Sequence, residues 1–301
     1  MTEILTRGTS PKKDAGDVDG ISRAEFTLRS RQYYWARASF ERIRLRLATG
    51  LSDPTPSVRI LAYHRISDDR DFLAVSPKSF RRQLELAREQ GFTPIRLQEA
   101  VDLIRGSEAL DDRFLCVTFD DGYLDNIESA LPHLEALDVP ATIFIPSDII
   151  AGRSSYHWYR DSPRAITWAE ARAAAESGLL DFQAHGKTHR ALTRLAADEL
   201  NAEFVSSRAE IEEELQRPVR IFCYPAGLHG EREVQTARDS GYAAAVTTQP
   251  GVNRPGDDLF RLRRTTIAWS DTLGTFETKL TGGLDSLSSV ESWVRRRRSR
   301  A

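Results

Sequence analysis

The sequence predicts an α/β fold, a distorted (β/α) barrel with about seven parallel strands preceded by an N-terminal basic amphipathic helix. Short β-rich apolar runs alternate with helical periods roughly seven times between residues 58 and 262. Chemistry-bearing residues stand repeatedly just after those runs, and strand ends converge on one face of an α/β barrel. With 301 residues, 40% hydrophobic and 29% charged, the chain is long enough to bury one large core or two smaller ones.

Residues 1–25 mix Thr, Gly, Lys and Asp without apolar periodicity and are expected to form a disordered tail. In the segment 26–57, Tyr33, Ala36, Phe40, Ile43 and Leu47 recur at helical spacing, with Arg31, Arg37, Arg42, Arg44 and Arg46 mostly on other faces. This is a basic amphipathic helix followed by a proline-containing linker. Its apolar stripe suits packing on the main domain, and its arginines suit an anionic lipid surface.

The main domain is expected to span 58–285. Residues 58–63 form a strand that ends at His64. Ser76 is the N-cap of the next helix, with Pro77 at its first position and Gly91 as its stop. A short strand at 93–95 leads to a helix with Leu97, Val101 and Ile104 on one face, closed by Gly106. The strand 114–117 delivers Asp120, Asp121 and a turn at Gly122, and a helix at 126–137 precedes the strand 141–145.

Residues 152–164, with Tyr156, His157, Trp158 and Tyr159, have no clear period and form a long loop of the kind that shapes binding sites. Thr167 and Glu170 have capping-box spacing ahead of an alanine-rich helix. Strand 180–184 then delivers His185, and strand 219–223 delivers Tyr224, Pro225, Ala226 and Gly227. A strand at 243–248 follows, and 259–262 is the candidate for the last one. The tail 286–301 ends in Arg295 to Arg298 and Arg300, a charge run that is solvated or faces a polyanion or anionic lipid.

The formal net charge of −2 gives no case for nucleic acid as a partner. Cys116 and Cys223 lie in apolar runs, so burial as free thiols explains them better than a disulfide or metal ligation. No stretch reaches the roughly 18 apolar residues of a membrane span, and the N-terminus lacks the apolar core of a secretory signal. The expected location is cytoplasmic, with the basic ends favouring peripheral contact at the inner membrane face. Oligomeric state is not legible.

Adjacent carboxylates repel when both are ionised, and the Asp120-Asp121 pair persists most readily if a cation holds one of them. His185 and His189, four residues apart, chelate one divalent ion if the segment turns into a helix there. Two imidazoles and one carboxylate leave positions open for water and a substrate oxygen, which suits hydrolysis. The ion lowers the pKa of bound water towards about 7, and the spare carboxylate takes the proton as water attacks. A backbone N–H near Tyr224–Gly227 supplies an oxyanion donor, and His64 stands where an acid for the leaving group belongs.

These residues resemble the polysaccharide deacetylase family, the NodB-homology domain of carbohydrate esterase family 4, closest to its rearranged poly-N-acetylglucosamine deacetylase-like branch. Thr118-Phe119-Asp120-Asp121-Gly122 is similar to the first family motif, His185 to His189 to the second and Phe222 to Gly227 to the third, in family order. The resemblance implies Asp120 as general base, Asp121, His185 and His189 as metal ligands, and Tyr224 as the source of the backbone oxyanion donor. Pro225 is a substrate-contacting residue on the same basis, and Arg264 a supporting or substrate-contacting one.

Two features depart from the family pattern. Gly186 stands where the second motif carries a hydroxyl residue, and no late L-x-H motif supplies the usual acid. The run Tyr63-His64-Arg65-Ile66 resembles the branch signature in which an early histidine takes that role. The expected function is metal-dependent removal of an N-acetyl group from an acetylated amino sugar: polymeric, oligomeric, or lipid- or nucleotide-linked. Zinc is the expected ion, with cobalt, manganese and nickel as alternatives. The competing readings are hydrolysis of another linear or cyclic C–N bond or an O-acetyl ester, and a carbohydrate-binding protein without catalysis.

Overall fold

The structure is a computed structural model and describes residues 53–159, 161–283 and 285. The expected disordered tail, the basic helix and the C-terminal arginine run lie outside the described residues. Among the described residues, no helix is long and apolar enough to cross a membrane.

The strands, in chain order, are β1 (Ser57–Tyr63), β2 (Arg65–Ile66), β3 (Ala74–Val75), β4 (Phe92–Pro94), β5 (Arg113–Phe119), β6 (Ala141–Ile145), β7 (Leu180–Ala184), β8 (Ile221–Cys223), β9 (Ala244–Val246) and β10 (Thr265–Thr266). Seven of them form one curled parallel sheet in the order β10-β1-β5-β6-β7-β8-β9. β4 pairs with the first half of β5, and β2 and β3 form a separate short pair. Every residue of β1 and β6 is buried, as expected for parallel strands covered on both faces.

Alternation along the strands separates two cores. Val58, Ile60, Cys116, Phe144, Ile221, Cys223 and Val246 form one cluster. Leu61, Val117, Ile143, Phe182 and Phe222 face the other way and pack with helix residues such as Phe80, Leu84, Ala171 and Phe204. By the same parity Thr118 and Asp120 follow Cys116 on the inner face of β5.

The predicted last strand at 259–262 is a correction. Asp258 accepts from the Phe260 N–H through its side chain at 3.0 Å and from the Arg261 N–H through its carbonyl at 2.9 Å. These local bonds wind Leu259–Arg261 into a 3₁₀ turn. The chain straightens one residue later. Leu262 bridges Val246 in β9, and Thr265 and Thr266 pair with Leu61 and Ala62 in β1. The segment 262–266 therefore stitches the two sheet edges together and draws Arg264 into the barrel mouth.

The helix predicted at 126–137 is a widened π turn, Asn126–Ala130, that runs into an α-helix, Leu131–Leu137. Pro132 has no N–H, and its ring crowds the carbonyl four residues back, Glu128, so the turn opens. Caps form where expected. Ser76 accepts from the Ser79 N–H at 3.2 Å, and Thr167 and Glu170 make both bonds of a capping box.

Candidate active site

β5 hands over to the acids without losing its pairing, since the Asp120 N–H donates to the Tyr63 carbonyl at 3.0 Å. The chain then reverses at Asp121 and Gly122, with φ of 74° and 70°. Asp tolerates the left-handed region better than most residues, whereas at Gly122 a Cβ would lie 2.9 Å from both Ile145 and Ile150. The turn sends the two carboxylates to different partners, which resolves their mutual repulsion.

Asp120, 3% exposed, is held by Arg264, which is fully buried. The guanidinium bonds Oδ1 at 2.6 Å and Oδ2 at 2.7 Å, the fork-to-fork geometry that fixes both planes. Its remaining donors reach the Thr247 carbonyl at 2.9 Å, the Thr118 hydroxyl at 3.1 Å and the Cys223 sulfur at 3.0 Å. All five Arg donors thus have acceptors, so the buried charge is compensated. Burial opposes the charge on Asp120, but Arg264 outweighs it and holds the carboxyl below the usual carboxylate range. Arg264 is wholly buried with all its donors occupied, a geometry that suits the supporting part expected of it better than a substrate contact.

Asp121 faces the histidines. Its Oδ1 lies 3.4 Å from His185 Nε2 and 3.1 Å from His189 Nε2, and the two rings are 4.8 Å apart. His185 Nδ1 is 2.8 Å from the Cys223 carbonyl, which can only accept, so Nδ1 carries the proton and Nε2 is turned to Asp121. Asp121 Oδ1 is buried without a hydrogen-bond partner. A buried carboxylate oxygen without a hydrogen bond, facing two imidazole nitrogens, fits a divalent cation with an O,N,N donor set. Burial disfavours charge on Asp121, yet His189 and His185 draw its carboxyl well below the usual range.

The expected helix across 185–189 does not form. Gly186 has φ of 74° and His189 of 59°, and this looped path brings the rings together. Asp120, His185 and Cys223 also lie within mutual ligand distance. Asp120 is already committed to Arg264, and burial pushes the Cys223 thiol up, so it stays protonated.

His64 is partly buried directly after β1, its carbonyl accepting from Asn126 Nδ2 at 2.7 Å. Its ring is close enough for a positive charge on it to stabilise both Asp120 and Asp121. Tyr224 is buried, with its hydroxyl donating to the Phe260 carbonyl at 3.1 Å. Its N–H, the expected oxyanion donor, extends the sheet to the Val246 carbonyl at a long 3.3 Å, so it is not free as the motif alone suggested. Pro225 is buried beside the 185–189 loop, and the exposed residue of its turn is Ala226.

Four further residues contribute, of which the sequence named Tyr156 and Trp158 only as members of the aromatic loop, and Tyr123 and Glu203 not at all. Tyr123 donates to Asp121 Oδ2 at 3.1 Å, and Trp158 Nε1 donates to the Tyr123 hydroxyl at 3.2 Å. The Trp158 ring packs 4.5 Å from His189. Tyr156 donates to the Asp121 carbonyl at 3.1 Å. The aromatic loop thus braces the Asp-Asp-Gly turn, and the density of rings at 156–159 was its signal. Glu203 is the fourth; an acid on the same stripe as Leu200, Phe204 and Ile211 was the clue.

The fold and site define the class first: an α/β barrel with a cation-fitting Asp-His-His centre and a second, arginine-bound carboxylate at its mouth. The Polysaccharide deacetylase family model matches residues 107–245, a span that holds Asp120, Asp121, His185, His189 and Tyr224. Those residues, just under half of the chain, match a polysaccharide deacetylase domain of the NodB-homology type. His64 and Arg264 lie outside the matched span.

A Bacillus subtilis (strain 168) protein, YxkH, named for this family, is 26% identical over 209 residues, 69% of this chain and 71% of its own length. The poly-β-1,6-N-acetyl-D-glucosamine N-deacetylase of Escherichia coli (strain K12) is 26% identical over 137 residues, 42% of this chain but 20% of that protein. Among solved structures, the Streptococcus pyogenes deacetylase PplD in complex with acetate superposes with a TM-score of 0.66 at 22% identity. The match covers 75% of this chain and 99% of PplD. That likeness bears on the fold.

Proposed function

We propose that this chain hydrolyses the N-acetyl group of an acetylated amino sugar, releasing acetate, with a divalent cation held by Asp121, His185 and His189. The observation that carries the reading is the buried Asp121 Oδ1 without a hydrogen bond, aimed at two imidazole nitrogens. Zinc suits this donor set best, and cobalt, manganese and nickel are compatible with it. When bound, such an ion polarises an amide carbonyl and acidifies a neighbouring water towards a pKa of about 7.

The chain's own residues then divide the remaining work. Asp120 takes the proton of the attacking water. Arg264 keeps it ionised and oriented, which makes it a weak base, suited to a water that is already acidified. The Tyr224–Gly227 turn borders the place where the tetrahedral oxyanion forms, and the long Tyr224 N–H bond to Val246 is the one most easily given up to it. His64, close to both carboxylates, protonates the departing amine. The name of the Escherichia coli relative makes β-1,6-linked N-acetylglucosamine oligomers the first substrates to test.

Acetate release from such oligomers tests the proposal. Asp120→Asn is expected to retain the cation and lose roughly 10²–10⁴-fold in turnover. An Asp120→Asn enzyme with near wild-type rates would remove the base from the scheme. His64→Ala should slow amide cleavage far more than cleavage of an activated acetate ester, whose leaving group needs no proton. Equal losses on the two substrates would return His64 to a structural role.

A further inference from the structure

The two histidines that face Asp121 are held in different ways. His185 is oriented through its ring, by the Nδ1 bond to the Cys223 carbonyl at 2.8 Å. His189 has no such bond, because its Nδ1 is buried without a partner. The Trp158 ring 4.5 Å away supplies packing, but packing fixes a ring's direction less tightly than a hydrogen bond. The aim of His189 must therefore come from its backbone. That backbone sits at φ of 59°, a region a non-glycine residue keeps only where its surroundings hold it.

The surroundings are a clamp on residues 186–188. From the helix Ala197–Leu215, Glu203 accepts at Oε2 from the Lys187 N–H at 2.7 Å and the Thr188 N–H at 2.9 Å, and its Oε1 accepts from the Thr188 hydroxyl. Glu203 is 4% exposed, so these bonds form away from competing water. On the other side of the loop, the Ser147 N–H donates to the Gly186 carbonyl at 3.2 Å and the Asp148 N–H to the Lys187 carbonyl at 2.9 Å.

We propose that Glu203 is a positioning residue of the cation site: its carboxylate anchors Lys187 and Thr188 and so imposes the backbone path that aims His189 at Asp121. The proposal rests on the cation reading above. It also accounts for Gly186. A Cβ at that position would lie 2.8 Å from Glu203 Oε2, at φ of 74°, so glycine stands where the related motif carries a hydroxyl residue. The loop's hydroxyl comes from Thr188 instead.

The test is calorimetric titration of Zn²⁺ into the chelator-stripped full chain, with the visible absorption of bound Co²⁺ as a reporter of ligand geometry. Glu203→Ala should weaken Zn²⁺ binding about 10–100-fold and alter the Co²⁺ bands. Glu203→Gln should stay close to wild type, because its amide oxygen still accepts the two N–H groups and its NH₂ can donate to the Thr188 oxygen. Thr188→Val should lose part of the affinity. Glu213→Ala, an exposed change on the same helix, should lose none.

Wild-type affinity in both Glu203→Ala and Thr188→Val would overturn the proposal and leave the cation reading standing. A wild-type chain that binds no Zn²⁺ would overturn both. Should Glu203→Ala fail to fold, the other two variants decide: a Gln variant that binds poorly, or a Val variant with unchanged affinity and spectrum, contradicts the anchoring role.

Discussion

In the Asp121→Ala variant, bound zinc falls to background and acetate release falls with it. Asp121 contributes the single anionic donor of the candidate site, and its Oδ1 is the point on which both Nε2 atoms converge. Replacing partners one shell out from a metal costs about 10–100-fold in affinity, so loss of the carboxylate itself should exceed that range. The fold should survive. Ala loses the Tyr123 bond to Asp121 Oδ2 and fits φ of 74° less easily, but Asp121 Oδ1 makes no hydrogen bond and the Tyr156 bond to the carbonyl of residue 121 remains. Metal content by atomic emission and acetate release on the same preparation check the coupling. Lost turnover with full metal content would move the ligand role elsewhere.

Arg264→Met is expected to damage stability and rate together. It leaves Asp120 buried with no countercharge, and breaking a buried pair from one side costs about 3–5 kcal/mol. In the wild type, burial raises and Arg264 lowers the Asp120 pKa, with a net value below the unfolded 3.8. Ionised Asp120 therefore adds stability that is fully present above the unfolded value and fades as pH falls through the folded one. In Arg264→Met, burial is opposed only by His185 and His64, and the pKa rises. The penalty is then largest near neutral pH and shrinks as acid neutralises the carboxyl. Urea denaturation near neutrality and at about pH 4 should show the gap between the two proteins narrowing towards acid. A gap that is constant with pH would mean that the loss is one of packing. Turnover should fall by about 10²-fold from misplacement of the base.

The positions of most strands along the chain were readable because they rest on local signals. Apolar runs at 58–63, 141–145 and 180–184 appear as β1, β6 and β7, and the Thr167–Glu170 capping box forms as its spacing implied. What was not readable depends on contacts far apart in sequence. Arg264, named only through the family resemblance, meets Asp120 across 144 positions, and nothing in Leu262-Arg263-Arg264 itself says that it binds that carboxylate. The closing segment was misplaced for a related reason, since Asp258 caps a turn where the apolar run 259–262 suggested a strand.

The His185–His189 spacing pointed to two rings that do meet at Asp121, but through a conformation that does not occur. Helical i,i+4 spacing brings rings together, but so does a loop with residues 186 and 189 in the left-handed region. Tyr123 shows the opposite limit. It sits beside the Asp-Asp-Gly turn in sequence, yet its bond to Asp121 Oδ2 becomes visible only once the 156–159 loop folds over it.

The central claim is that one cation held by Asp121, His185 and His189 drives deacetylation. The most direct measurement is acetate release from N-acetylglucosamine oligomers by the chelator-stripped chain, followed while Zn²⁺ is titrated in. The account predicts no release from the stripped protein and a rise that saturates at one equivalent of bound zinc. Release that persists in the stripped chain, or that stays absent once one equivalent has bound, would contradict it.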